Sequence, residues 1–237
     1  DKSPLIHRYY REAPAKFAEA AKQFRQDKTD LVIELGDLID VGNSLEVEQS
    51  YLKRIVKSFR ATPGQHHYVL GNHCVWRLTK PEFLGIVRQK RSYYSFDLKG
   101  YHFIVLDACF RSDGQPYGRG NSQWTDANIP GAEVEWLRLD LQHTPYKSVV
   151  FVHQRLDVEP PYGVKNASEI RRILKESGKV LVVLQGHYHF NAYKEVDGVR
   201  YVTLAAMVEG TGEENSAYAV MDILPGDAIQ IRGFRRQ

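Results

Sequence analysis

The sequence has 237 residues, 43% hydrophobic and 26% charged, the balance of an ordinary folded domain and not of a disordered chain. With 32 basic and 29 acidic residues the formal charge is +3, too small a surplus for a surface that grips duplex nucleic acid by its phosphates. The longest apolar runs, such as Val180 to Leu184, fall far short of the roughly 20 residues of a membrane-spanning helix. The two cysteines, Cys74 and Cys109, make neither a disulfide framework nor a Cys-x-x-Cys metal pair.

The chain opens at Asp1 without methionine and without a charged-then-apolar leader. A trimmed form and a mature exported form both fit, so the compartment, cytoplasmic or outside after signal removal, stays open. Phe17, Ala20, Ala21 and Phe24 recur at helical spacing, as do Val47, Tyr51, Leu52, Ile55, Val56 and Phe59. The short apolar runs Leu31 to Leu35 and His67 to Leu70 read as strands, each followed at once by a glycine-containing turn. Tyr93 to Asp97 and His102 to Asp107 flank Lys99-Gly100 as a hairpin. Ser148 to Val152 reads as a buried strand, Asn166 to Ser177 as a helix and Val180 to Leu184 as a further strand. Asn166 with Glu169 has the spacing of a capping box, and Gly178 stands where a helix stops. Ala192 to Val196 and Arg200 to Leu204 flank the turn pair Asp197-Gly198, and Tyr218 to Ile223 and Ile229 to Gly233 close the chain. Alternating strand and helix with added hairpins predicts an α/β fold, two packed mixed β-sheets flanked by helices in a four-layer α/β/β/α sandwich. The segments Arg111 to Trp124 and Asp157 to Lys165 are long and polar, the length at which loops often carry function.

Four clusters stand just after expected strands: Gly36-Asp37-Leu38-Ile39-Asp40, Gly71-Asn72-His73, His153-Gln154 and Gly186-His187-Tyr188-His189. Strand carboxyl ends in such sheets face one crevice, so the four can converge. One carboxylate, one amide oxygen and three imidazoles make a mixed oxygen and nitrogen set suited to Mn, Fe, Zn or Ni. Singly each is weak, because Gly-Asp is a common turn and a lone histidine is often a packing residue. In order and at strand ends they reinforce one another.

This ordered series resembles the calcineurin-like metallophosphoesterase superfamily over most of the chain. Tyr9-Tyr10-Arg11, Tyr93-Tyr94-Ser95-Phe96 and Val152-His153-Gln154 are similar to its branch of manganese-dependent ADP-ribose and CDP-alcohol diphosphatases. The resemblance implies one metallophosphoesterase domain over 1–237 and two divalent cations. It implies that Asp37 bridges them, that Asn72, His153 and His187 complete one, and that His189 binds the other. His73 is implied to face the phosphoryl group or its leaving oxygen, and Asp40 reads either as an orienting residue behind the site or as a helix-entry cap. Two departures stand out. The family's opening Asp-x-His or Asp-x-Gln is absent, since Asp1 is followed by Lys2 and Ser3 and His7 is wrongly spaced, so the domain is expected to lack its first strand. Cys74 stands where many relatives carry an acidic residue that pairs with the preceding histidine.

The expected reaction is in-line attack by a metal-bridging hydroxide beside Asp37, two cations about 3.5–4 Å apart clamping the phosphate and His73 assisting the leaving group. The substrate expected is a small phosphorylated molecule, with a nucleoside diphosphate derivative first and a broad phosphomonoesterase or phosphodiesterase next. No residue is assigned to its binding; Tyr9, Tyr10, Tyr117, Trp124 and Tyr188 are candidates to stack a base, and Arg8, Arg11, Arg111 and Arg119 to hold a second phosphate. The rivals are a metal-depleted protein-binding scaffold, which the missing motif favours, and a single-metal hydrolase.

Overall fold

The computed structural model describes residues 8–237, so Asp1, Lys2, Ser3 and His7, weighed above as the place of the first motif, lie outside the described residues. Helix α1 (Ala13–Asp27) begins with a proline in its first turn and ends on Lys28 in the left-handed region. Helix α2 (Leu45–Phe59) is started by Ser44, whose hydroxyl accepts from Val47 N, and buries Leu52, Val56 and Phe59 on one face. Between them lies β1 (Leu31–Glu34), which pairs in parallel with β2 (Gln65–Tyr68). Helix α3 (Lys80–Val87) opens with a full capping box formed by Thr79 and Glu82.

Among the described residues a six-stranded mixed sheet dominates the fold, in the order β3 (Tyr94–Leu98), β4 (Tyr101–Val105), β5 (Ser148–Val152), β6 (Val180–Gln185), β8 (Val199–Thr203), β7 (Ala192–Val196). Its centre, β4-β5-β6-β8, is parallel, and the hairpins β3-β4 and β7-β8 close both edges. Both hairpins turn on residue pairs with positive φ, Lys99-Gly100 and Asp197-Gly198, the geometry that matches strand twist. The remaining strands are the antiparallel pair β9 (Ala217–Leu224) and β10 (Ala228–Arg235).

The core divides by layer. Helices α4 (Gly131–His143) and α5 (Ala167–Ser177) cover one face of the large sheet with Val134, Leu137, Leu141, Ile170 and Leu174. The other face, with Phe103, Val105, Val149, Phe151 and Val182, meets Leu31, Ile33 and Leu35 from β1 and its exit and Met221, Ile223, Ile229 and Ile231 from the last hairpin. Helices α1, α2 and α3 pack outside β1 and β2. The expected α/β/β/α layering is therefore present, with its thinner β layer built from two strand pairs. Asn166 differs from expectation. It precedes α5 but makes no cap: its side-chain oxygen accepts from Ile129 N at 3.0 Å and its amide donates to Ile129 O at 2.8 Å, tying α5 to the entry of α4. Gly178 ends α5 in the left-handed region as read from the sequence.

Candidate metal centre

The parallel strands β1, β2, β5 and β6 end on one side of the molecule, and their exits carry the four motif clusters. Asp37, His187 and His189 all hold positive φ, at 58°, 67° and 68°. Such backbone is costly for residues with a Cβ and persists where surroundings enforce it, often at functional sites. Two glycines make the approach possible. A Cβ on Gly71 would lie 2.2 Å from Asp37 Oδ1, and one on Gly36 would lie 2.4 Å from His153 Nδ1.

Asp37, His153 and His187 offer ligand atoms that all fall within 4.8 Å of one another. Asp37 Oδ2 lies 3.1 Å from His153 Nε2, and His153 Nε2 lies 3.1 Å from His187 Nδ1. The other carboxylate oxygen, Oδ1, accepts from His73 N at 2.8 Å. His153 Nδ1 sits 2.7 Å from Leu35 O, a carbonyl that can only accept, so Nδ1 carries the hydrogen. A neutral His153 then aims a bare lone pair at a carboxylate oxygen and at a second imidazole. Three electron-rich atoms so placed repel unless a proton or a cation lies among them, and neighbours about 3 Å apart suit donors each about 2.1 Å from one cation. Asn72 is buried and its side-chain oxygen has no hydrogen-bond partner, as is the case for His187 Nε2. An orphaned buried acceptor such as the Asn72 oxygen calls for a ligand. The donor set fits a divalent cation.

The electrostatics agree. Burial would raise the Asp37 pKa, but His153 and His73, whenever they carry a proton, reverse this and hold the carboxyl far below its ordinary range. Burial, with His153 alongside, pushes His187 down to about 3, and burial also lowers His189. Both rings are therefore neutral near pH 7, the form that ligates a cation. His189 Nδ1 meets Glu209 Oε1 at 2.7 Å, and His189 lies within electrostatic reach of both Asp37 and His187.

His73 behaves differently. Its Nδ1 lies 2.6 Å from Asp40 Oδ1, and although burial opposes the charged ring, Asp37 and Asp40 raise its pKa above the ordinary value. The carboxylate that Cys74 does not provide thus comes from Asp40, three residues beyond Asp37, while Cys74 is fully buried as a packing residue. Asp40 itself is held at about 2, because contact with His73 and Tyr10 outweighs burial.

A wall of aromatic rings adjoins the cluster. Trp124 and Tyr162 stand 5.7 and 5.9 Å from the His187 ring, and Tyr188 packs on Tyr162 at 5.2 Å. Trp124 and Tyr162 are each 39% exposed, whereas Tyr117 is buried with its hydroxyl donating to Gln123 O. Of the arginines, Arg111 is engaged by Asp113, Asp126 and Asn121, and Arg119 by Glu82. Arg8 lies between Asp40 and Glu209 at 3.9 and 3.8 Å. Tyr162 and Glu209 escaped the sequence reading. Neither lies in a motif, although the polar loop Asp157 to Lys165 that holds Tyr162 stands out by its length.

The model of the calcineurin-like phosphoesterases matches residues 6–191 of the chain. The chain belongs to this family. It is a metal-dependent phosphoester hydrolase, and among characterised proteins it is similar to a manganese-dependent ADP-ribose/CDP-alcohol diphosphatase of Arabidopsis thaliana, at 24% identity over 86% of this chain and 79% of the relative. A 3',5'-cyclic-nucleotide phosphodiesterase of Nostoc is likewise 24% identical, over 83% of this phosphoesterase and 70% of the relative. The fold matches a solved dimetal phosphatase from Danio rerio with a TM-score of 0.86 at 19% identity, covering 100% of this chain and 91% of the other. Among the described residues no helix is long and apolar enough to cross a membrane.

Proposed function

We propose that this phosphoesterase cleaves a phosphoester or pyrophosphate bond in a nucleoside-bearing substrate such as a nucleoside diphosphate derivative, with two divalent cations held by Asp37, Asn72, His153, His187 and His189. The observation that carries the reading is the convergence of Asp37, His153 and His187 directly beside the half-exposed rings of Trp124 and Tyr162. The relatives named above act on ADP-ribose, CDP-alcohols and cyclic nucleotides, in each of which the phosphate is joined to a nucleoside.

Bound cations would neutralise phosphate oxygens and acidify a water at neutral pH. The side chains do the rest. Asp37, kept ionised, would help to hold the cations while it accepts from His73 N, which couples the metal-holding turn to the turn that carries His73. His73 carries a proton more readily than a free histidine, because the charge of Asp37 and the contact of Asp40 with its Nδ1 outweigh burial. Its Nε2–H is then the donor available to a leaving oxygen. Trp124 and Tyr162 offer apolar faces on which a base can stack, worth about 1–3 kcal/mol per base.

The test is a Mn2+-supplemented assay of ADP-ribose, a CDP-alcohol and a cyclic nucleotide, with p-nitrophenyl phosphate as a substrate lacking a nucleoside. Asp37→Ala is expected to lower turnover on all of them by at least about 1,000-fold, in keeping with the loss of a central electrostatic group. Trp124→Ala is expected to raise KM on the nucleoside substrates about 5- to 50-fold and leave p-nitrophenyl phosphate unchanged. Undiminished turnover by Asp37→Ala, or a preference for p-nitrophenyl phosphate over every nucleoside substrate, overturns the reading.

A further inference from the structure

We propose that Glu209 is a positioning residue of the metal centre, acting through His189, and that Lys16 holds Glu209 in place; this rests on the reading of His189 as a ligand. Glu209 is buried on the irregular stretch between β8 and β9, and its Oε1 meets His189 Nδ1 at 2.7 Å. A carboxylate at Nδ1 keeps the hydrogen there, leaves Nε2 as the lone pair for a cation and stops the ring from turning. His189 needs such a hold, since its own backbone sits at a φ of 68° that favours glycine.

The stretch that carries Glu209 is tied down by a segment about 200 positions earlier in the chain. Lys16 on α1 is fully buried, and its ammonium donates to the carbonyls of Met207 at 3.0 Å, Glu209 at 3.0 Å and Gly210 at 2.6 Å. Tyr9 N donates to Val208 O at 2.8 Å. The Glu12 carboxylate accepts from Thr211 Oγ1 and from Gly212 N. Every residue from Met207 to Gly212 is therefore held through its backbone or side chain by residues 8–16, counting the bridge between Arg8 and Glu209. A buried ammonium is costly unless its donors are all satisfied, and here they converge on the carbonyls of Met207, Gly210 and Glu209 itself. Arg8 completes the arrangement. Its Nε stands 3.8 Å from Glu209 Oε1 and its Nη1 stands 3.9 Å from Asp40 Oδ2, so one guanidinium serves the carboxylate behind His189 and the carboxylate behind His73.

The experiment titrates metal-stripped protein with Mn2+ by calorimetry, follows the bound Mn2+ by electron paramagnetic resonance, and records the melting temperature without metal. It compares the natural protein with Glu209→Gln, Glu209→Ala, Lys16→Met and His189→Ala. Glu209→Ala is expected to weaken Mn2+ binding about 10- to 100-fold and to alter the resonance spectrum. Glu209→Gln, whose amide oxygen still accepts from Nδ1–H, should recover part of the loss, and Lys16→Met should show a smaller loss of affinity. A Glu209→Ala protein that binds Mn2+ like the natural protein while His189→Ala binds it weakly overturns the proposal alone. Unchanged binding in both variants removes the ligand assignment of His189 and the proposal with it. A drop in metal-free melting temperature with no change in Mn2+ affinity would make Glu209 merely structural and equally overturns the proposal.

Discussion

At the scale of single residues, His102 shows how partners set a charge far from the metal centre. It is buried on β4 with Nδ1 2.6 Å from Asp97 Oδ1 and Nε2 2.8 Å from Asp140 Oδ2. Burial disfavours the imidazolium, but the hydrogen bonds to Asp140 and Asp97 outweigh it and raise the pKa. With a raised pKa, the stabilisation is complete below the unfolded-state value of about 6.5 and fades as pH climbs through the folded-state value. His102→Asn should therefore cost about 1–3 kcal/mol at pH 6 and clearly less at pH 9. Denaturant titrations at the two pH values check this, and an equal loss at both would contradict it. Candidate site residues stood out in the sequence because Asp37, Asn72, His73, His187 and His189 lie beside glycine turns and His153 lies at a strand end. Their partners did not. Glu209 acts on His189 from 20 positions away, and Glu34, which accepts from Gly36 N and Val69 N and is raised to about 8 by burial, looks in the sequence like an ordinary strand-end carboxylate.

At the scale of elements, helices stand where an apolar stripe is long enough to show. The stripes of α1 and α2 run through 15 residues each and were legible. Helix α3 has 8 residues and a glycine within it, too short for periodicity, although Thr79 and Glu82 spell its start. The stripe Val134, Leu137, Leu141 of α4 is present in the sequence but stands among charged neighbours that mask it. Docking of α1 includes one buried polar side chain that no pattern announces, Lys16. Replacing it with methionine keeps the volume and removes the ammonium, leaving carbonyls of Met207, Glu209 and Gly210 without their donor. The expected cost is about 2–3 kcal/mol, or a fall in melting temperature of about 5–10 °C for a chain of this size. Calorimetric melting of the metal-free protein measures it; a change below 1 °C would show that water serves those carbonyls equally well.

At the scale of the whole molecule, the candidate metal centre joins the exits of strands from two packed β layers. Asp37 follows β1, Asn72 follows β2, His153 follows β5 and His187 follows β6, so the donors come from both β layers. A cation that binds only the folded arrangement must stabilise all of it, by about 2.7 kcal/mol when present at 100 times its dissociation constant. Saturating Mn2+ should raise the melting temperature by about 5–10 °C, a chelator should reverse the gain, and Asp37→Ala should show none. An Asp37→Ala protein stabilised as much as the natural one would place the cation elsewhere.

The sequence by itself determined the α/β class, the order of strands and the ligand-type residues at their ends, because turns, periodicity and donor chemistry are local properties written into neighbouring positions. Only the tertiary structure decided that Asp40 and not position 74 supports His73, that Glu209 stands behind His189, and that Tyr162 joins Trp124 beside His187. Those pairings are made by packing of distant segments, where the energy of a contact depends on burial and distance and leaves no periodic trace along the chain.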